Sequence, residues 1–271
     1  MLRRCNIMQH VDVTAQNARQ PFAGADPATA EHTAYGVAYR VRRSRRPSLS
    51  VRITPTGVEV RAPFWSSTSD IERLIYDRRD WIIKTSQATS ARVRNWLHLV
   101  PGGQILWRGH PVPIALFLSK HDAAQFTDDA CLIYSRTGCV PLDALEAELL
   151  RIARDTLPRR VRRMASLAGI TVNEVAICED STAWGTCNLF KDVRLNRRLL
   201  LLPTELTDYV IAHELAHCIE LNHSPRFWAQ VARLDPLWRQ RREELKRYSI
   251  MLTPFSVFAK AARPDGTKFG G

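Results

Sequence analysis

Two histidines four residues apart, with a glutamate beside the first, are the residues of this chain best suited to chemistry: His213-Glu214-Leu215-Ala216-His217. On a helix, positions i and i+4 share one face, one turn apart. Imidazoles set that way reach a single metal ion. Glu214 then flanks the ion and can take a proton from a water that the ion activates. The reaction class implied is metal-assisted hydrolysis. Glu220 and His223 compete to be the third ligand. On a continuous helix His213 and Glu220 stand roughly 10 Å apart along the axis, a long span for one ion with bonds of about 2 Å. A turn after the helix would instead let His223 swing back, so His223 is the expected ligand. Asn222 tolerates the left-handed backbone that ends helices, and Ser224-Pro225 reads as the cap and first residue of a new helix. Three imidazoles leave one position open for water, the ligand set expected for one zinc ion (Zn²⁺) per chain.

These residues need elements to hold them. Pro203 and Thr204 read as a helix start, with Thr204 as cap and Glu205 and Asp208 near its positive end. Leu206, Tyr209, Val210, Ile211, Leu215 and Ile219 put apolar groups on most sides, so this helix is expected to be buried. Before it come a helical stretch from Leu142 to about Ala168, which Pro158 should kink or split and Gly169 should end, and strands at Val172 to Cys178 and Val193 to Leu202. After it come a helix from Pro225 and one opened by Asp235-Pro236. The N-terminal half reads as short strands (Ala38 to Arg42, Leu49 to Thr54, Val58 to Ala62, Gln104 to Trp107, Val112 to Leu118, Cys131 to Tyr134) around one long helix. Ser69-Asp70 should cap that helix, and Ile71, Leu74, Ile75, Trp81 and Ile82 should form its apolar side. Residues 1–33 and 251–271 read as tails, the first of them mobile.

Several motifs in fixed order resemble the YgjP-like metal-dependent hydrolases. Trp184-Gly185-Thr186-Cys187 is similar to the family's W-G-S-C. Arg194-Leu195-Asn196 with Arg198-Leu199 resembles its L-N-x-x-L strand. Asp208 to His217 and Asn222-His223-Ser224-Pro225-Arg226-Phe227-Trp228 resemble its metal helix and the turn beyond. Arg42 to Val51 and Asp80-Trp81-Ile82 fit its N-terminal half, so the likeness runs from about Tyr35 to Tyr248. The resemblance implies an α+β fold, with a β-rich part (34–140) and a zincin-like core (141–250) in one metallopeptidase domain. Its metal site is related to those of SprT-type and WLM-type proteases. It implies His213, His217 and His223 as ligands and Glu214 as base. Trp184, Gly185, Thr186 and Asn196 are then candidates for meeting an extended peptide, which in similar folds adds to the strand beside the cleft; that strand is expected to be the one preceding the metal helix. The chain departs from the pattern twice. Glu179-Asp180-Ser181-Thr182-Ala183 replaces the basic approach to the tryptophan, and Lys191 stands where the turn glycine usually does.

Composition narrows the setting. No run of 18 apolar residues occurs, so no membrane partner is expected. The first ten residues are basic but lack a continuous apolar stretch and make a poor signal peptide. The 6 cysteines form no C-x-x-C pair, which fits a reducing cytoplasm. The net charge of +12 suggests anionic partners. Arginine clusters at 40–46, 159–163 and 239–242 support nonspecific nucleic-acid contact, with no sequence-reading motif beside them. The expected substrate is a peptide or protein; the sequence carries no signal of oligomeric state. Two rival readings are a metal-dependent nucleotide phosphohydrolase and a nucleic-acid-associated protein with a structural metal. Phosphate chemistry favours carboxylate-held Mg²⁺ or Mn²⁺, and a structural site has no use for Glu214.

Overall fold

Alternation of apolar and polar residues sets the strands, and among the described residues three small sheets with five α-helices result, an α+β chain. The structure is a computed structural model and describes residues 31–54, 57–178, 183–252 and 255. It packs as two units that divide after Arg94.

In the first unit β1 (Glu31–Ala34), β2 (Val37–Ser44), β3 (Ser50–Thr54) and β4 (Gly57–Pro63) form a sheet in the order β1-β2-β4-β3. Glu31 to Thr33, read as tail, are in fact strand, because they pair with Tyr39 to Arg40 and the residues beside them in β2. Helix α1 (Thr68–Trp96) starts at a reciprocal cap: the Ser67 hydroxyl accepts from the Asp70 N–H at 3.1 Å, and the Asp70 carboxylate accepts from the Ser67 N–H at 3.0 Å. Ser67 is thus the cap, not Ser69. Val37, Tyr39, Val58, Val60 and Ala62 pack with Ile71, Ile75 and Ile82 of α1 as the core. Trp81 is 49% exposed and does not join them: it lies one residue, about 100°, off the Ile75–Ile82 stripe.

In the second unit β5 (Leu97–His98), β6 (Gln104–Trp107), β7 (His110–Leu118), β8 (Ala123–Phe126) and β9 (Cys131–Ser135) form a sheet ordered β5-β6-β7-β9-β8. The long helix α2 (Leu142–Ala168) runs unbroken through Pro158 and buries Leu145, Leu149, Ala153, Leu157, Val161 and Ala165 along one stripe. Gly169, at φ 66°, closes it as expected. β10 (Val175–Cys178), β11 (Gly185–Cys187) and β12 (Val193–Asn196) form the third sheet, with β12 central, parallel to β10 and antiparallel to β11. The strand expected to reach Leu202 stops at Asn196. The Asn196 side chain there accepts from the Arg198 N–H at 2.9 Å and starts a 3₁₀ turn, Arg197–Leu201. Next come α3 (Thr204–His217), α4 (Pro225–Leu234) and α5 (Trp238–Arg247).

Glu146 of α2 binds both Arg197 and Arg198, and the Arg198 guanidinium also donates to the Leu252 carbonyl and lies over the Phe255 ring. Met251, Leu252 and Phe255 are consequently buried, where a tail was expected to begin.

Candidate metal centre

Helix α3 is buried over eleven of its fourteen residues, from Leu206 to His217. Its first turn is fixed from two sides. The Arg160 guanidinium grips the Asp208 carboxylate with two hydrogen bonds, one of them 2.7 Å, and the Thr207 hydroxyl donates to the Leu199 carbonyl at 2.9 Å. The cap position belongs to Pro203 rather than Thr204, which is already helical. Gly109 makes room for Pro203: a Cβ on that glycine would lie 2.7 Å from the proline ring.

The helix ends at His217, and Cys218 follows in right-handed helical geometry. Asn222 does not take up a left-handed conformation; the chain turns through Glu220 and its neighbours instead, with the Glu220 N–H bonded to the Ala216 carbonyl. Ser224 then caps α4, its hydroxyl accepting from the Phe227 N–H at 3.3 Å, and Pro225 is the first helical residue. This turn brings His223 back over α3. Ring nitrogens of His213, His217 and His223 all lie within 4.8 Å of one another, the His213 and His223 Nε2 atoms at 3.3 Å. Phe227 packs against all three rings, its centroid 4.3–4.8 Å from each. The Glu220 side chain is not in the cluster. Its carbonyl oxygen faces His217 Nδ1 at 3.2 Å. A carbonyl oxygen can only accept, so the contact places the proton on Nδ1 and makes Nε2 the nitrogen able to take a metal.

Burial keeps these imidazoles neutral, the state a metal needs. Desolvation drives His213 well below its ordinary value and His217 down to about 4, and it also lowers His223. The Arg242 charge adds to the lowering at His213 and His223. Glu214 is fully buried, and among the described residues neither of its carboxylate oxygens has a hydrogen-bond partner. Burial pushes its carboxyl up to about 8. An unpartnered carboxylate in the interior is costly. Three converging neutral imidazoles are a donor set that a divalent metal ion takes, so the residues fit a metal ion.

Edge strand β11 closes the other side. A Cβ on Gly185 would lie 2.8 Å from Glu214 Cγ, so only glycine lets the strand approach the carboxylate this closely. Trp184 is buried and Thr186 part-exposed. Asn196 is fully buried in central strand β12, where its amide donates to the Ala183 carbonyl at 3.2 Å. The strand beside Glu214 is therefore β11, because β12 is flanked on both edges. Lys191, in the turn between them, has φ 64°, the left-handed conformation that a glycine adopts without strain. The approach residues 179–182 lie outside the described residues.

Many of the clustered arginines are engaged within the chain. Arg159, Arg160 and Arg163 line a groove of about 830 Å³ with Arg108 and Arg241. Four of these five are paired with carboxylates: Arg159 with Asp155, Arg160 with Asp208, Arg108 with Asp128 and Arg241 with Asp235. Arg43 turns inward to the Pro63, Phe64 and Ser66 carbonyls.

Three converging histidines, two of them buried, with a glutamate next to the first in the chain are the apparatus of a metal-dependent hydrolase. The family model of the YgjP-like metallopeptidase domain matches residues 47–248, and the chain belongs to that family. It is a metallopeptidase-type enzyme whose expected substrates are peptides or proteins. No curated protein and no solved structure matches it. No helix among the described residues is long and apolar enough to cross a membrane.

Sequence reading missed two contributors. The Glu220 carbonyl leaves no trace in residue type. Arg242 left one, a charged residue four positions after Trp238 and three before Leu245, on a stripe otherwise buried.

Proposed function

We propose that the chain is a zinc-dependent peptidase with His213, His217 and His223 as ligands and Glu214 as general base. One observation carries this: three imidazole nitrogens converge within 4.8 Å of one another, and the residue after the first of these histidines, Glu214, is a buried carboxylate with no hydrogen-bond partner among the described residues. A zinc ion held there would act as a Lewis acid toward water and the scissile carbonyl. Glu214 takes the proton of the attacking water and delivers it to the leaving amine. The Glu220 carbonyl holds His217 in the ligating tautomer. A substrate lying along β11 through Trp184, Gly185 and Thr186 would pair its backbone with that edge. Asn196 serves from behind, fixing the corner between β12 and the 3₁₀ turn. Three protein ligands form an open set, unlike the closed four-ligand set of a structural zinc. Imidazoles also suit zinc better than the Mg²⁺ or Mn²⁺ of nucleotide phosphohydrolases. A cytoplasmic setting agrees with the free thiols of Cys187 and Cys218, 3.6 Å apart beside the site.

The test is Glu214→Gln. Glutamine keeps the shape but cannot accept the proton. Cleavage of a peptide library should fall by about 10²–10⁴-fold, with one zinc per chain retained by elemental analysis. Full activity would remove Glu214 from the mechanism. Nucleic-acid contact, where it occurs, is electrostatic: binding to random-sequence duplex should weaken steeply with salt. Binding that persists at high salt would refute this.

A further inference from the structure

Two thiols beside the histidines have no part in the hydrolysis. Cys187 ends edge strand β11, and Cys218 follows the last residue of α3. Their Sγ atoms lie 3.6 Å apart, in van der Waals contact, and neither is bridged. The pair spans the seam between the strand and the helix. On the strand, Gly185 stands two residues before Cys187, and a Cβ there would lie 2.8 Å from Glu214 Cγ. On the helix side, the Cys218 thiol donates to the Glu214 carbonyl at 3.7 Å. The two sulfurs therefore meet where β11 presses on the residue proposed as base.

Packing alone would be served by any small apolar pair. Cys131, a packing cysteine, is sealed at 0% exposure, whereas Cys187 and Cys218 each keep 7% of their surface open to solvent. A molecule little larger than water can approach them. We propose that Cys187 and Cys218 are an oxidative modification site: hydrogen peroxide joins them in a disulfide that clamps β11 onto the end of α3 and stops cleavage until a reductant opens it. The loss of cleavage rests on the peptidase reading above; the disulfide does not. One sulfur takes an oxygen from peroxide: the O–O bond breaks, an S–O bond forms and water leaves. The second sulfur then attacks the first. The S–O bond breaks, the S–S bond forms, and the departing hydroxyl leaves as water with the second thiol's proton. Two thiols lose two electrons, and one peroxide becomes two waters. A bond of about 2.05 Å brings the sulfurs about 1.5 Å closer than they stand. Helix α3, buried over eleven of its fourteen residues, is the fixed partner, and the three-residue edge strand is the one that moves. Gly185 has no room left before Glu214, so the base is displaced.

The experiment treats the zinc-loaded full chain with hydrogen peroxide and maps its proteolytic fragments by mass spectrometry. Cys187 and Cys218 should appear as one cross-linked pair, lighter by two hydrogens than the separate thiol fragments. Amide hydrogen exchange across β11 should slow. Cleavage of a fluorogenic peptide cut by the reduced wild type should fall by about 10–10²-fold. Zinc content should hold, and a phosphine reductant should restore the rate. Cys187→Ala and Cys218→Ala should cleave like wild type when reduced and lose nothing under peroxide. Absence of the cross-link between these two residues would overturn the proposal. So would a cross-linked chain that keeps its full rate, an equal peroxide loss in the variants, or a loss that follows zinc out of the protein. If one variant fails to fold, the other decides; if both fail, the wild type's cross-link and its reversal decide. A reduced wild type that holds zinc but cleaves no peptide would instead overturn the peptidase reading. The clamp would then stand or fall on the cross-link and on slowed exchange across β11.

Discussion

His213 and His217 stand on a helix buried all round, while His223 sits in a short exposed turn between α3 and α4. The first pair is held by the core of the molecule: neighbours on every side of α3 fix its axis and rotation before any ion arrives. His223, the third of the proposed ligands, is held locally, by the Ser224 cap, by Pro225 and by the Phe227 ring packed against it. The same proposed role is thus supported by long-range packing in one region and by near-neighbour chemistry in the other.

The largest expected effect is on the rigid half. Gly185→Ala would force a methyl against Glu214, and displacement of the base by about 1 Å costs about 10²-fold in rate. Peptide cleavage should drop by that order with zinc content intact; wild-type cleavage would mean that the close approach of β11 has no part in the chemistry. Next comes a contrast between ligands. His213→Ala and His223→Ala should both strip the metal, by elemental analysis. Only His213→Ala should destabilise the metal-free chain, by about 2 kcal/mol, because it opens a cavity in the core. His223→Ala, at an exposed position, should stay within about 0.5 kcal/mol. Equal losses in urea melts would erase the distinction between the two halves. The smallest effect should come from Ser224→Ala. Losing that cap costs about 1 kcal/mol and should appear as weaker zinc affinity, leaving α3 unaltered by circular dichroism. A variant that binds zinc as tightly as wild type would show that the turn does not depend on its cap.

The contrast also explains what could be read from the sequence. The local half was legible: Ser224-Pro225 announces a helix start, and the histidine spacing announces a shared face. The buried character of α3 followed from apolar residues on all its sides. What escaped depends on long-range pairing. Nothing in Val193 to Leu202 marks where strand gives way to 3₁₀ turn, because the break is made by the Asn196 side chain folding onto the Arg198 N–H. Nor does a three-residue strand at Gly185–Cys187 have enough length to show alternation, although it is the one that lies against Glu214. Pro158 was expected to kink or split α2, and the helix is not split; its buried stripe on both sides of the proline supplies enough packing to offset one missing backbone bond. Lys191 was noticed as a departure from the family, and its left-handed backbone shows why glycine is the usual choice there.

The clasp of Arg198 on Leu252 and Phe255 bears on where this enzyme can be cut. The family match stops at residue 248, but the packed chain does not. Trimming at the match would strip an apolar cover from a guanidinium that lies two residues past Asn196, the last residue of the strand paired with β11. Water would then reach the Glu146 pairing from the chain's far end. Loss of a few residues about thirty positions beyond the last histidine would loosen the turn that follows β12 without touching the histidines themselves.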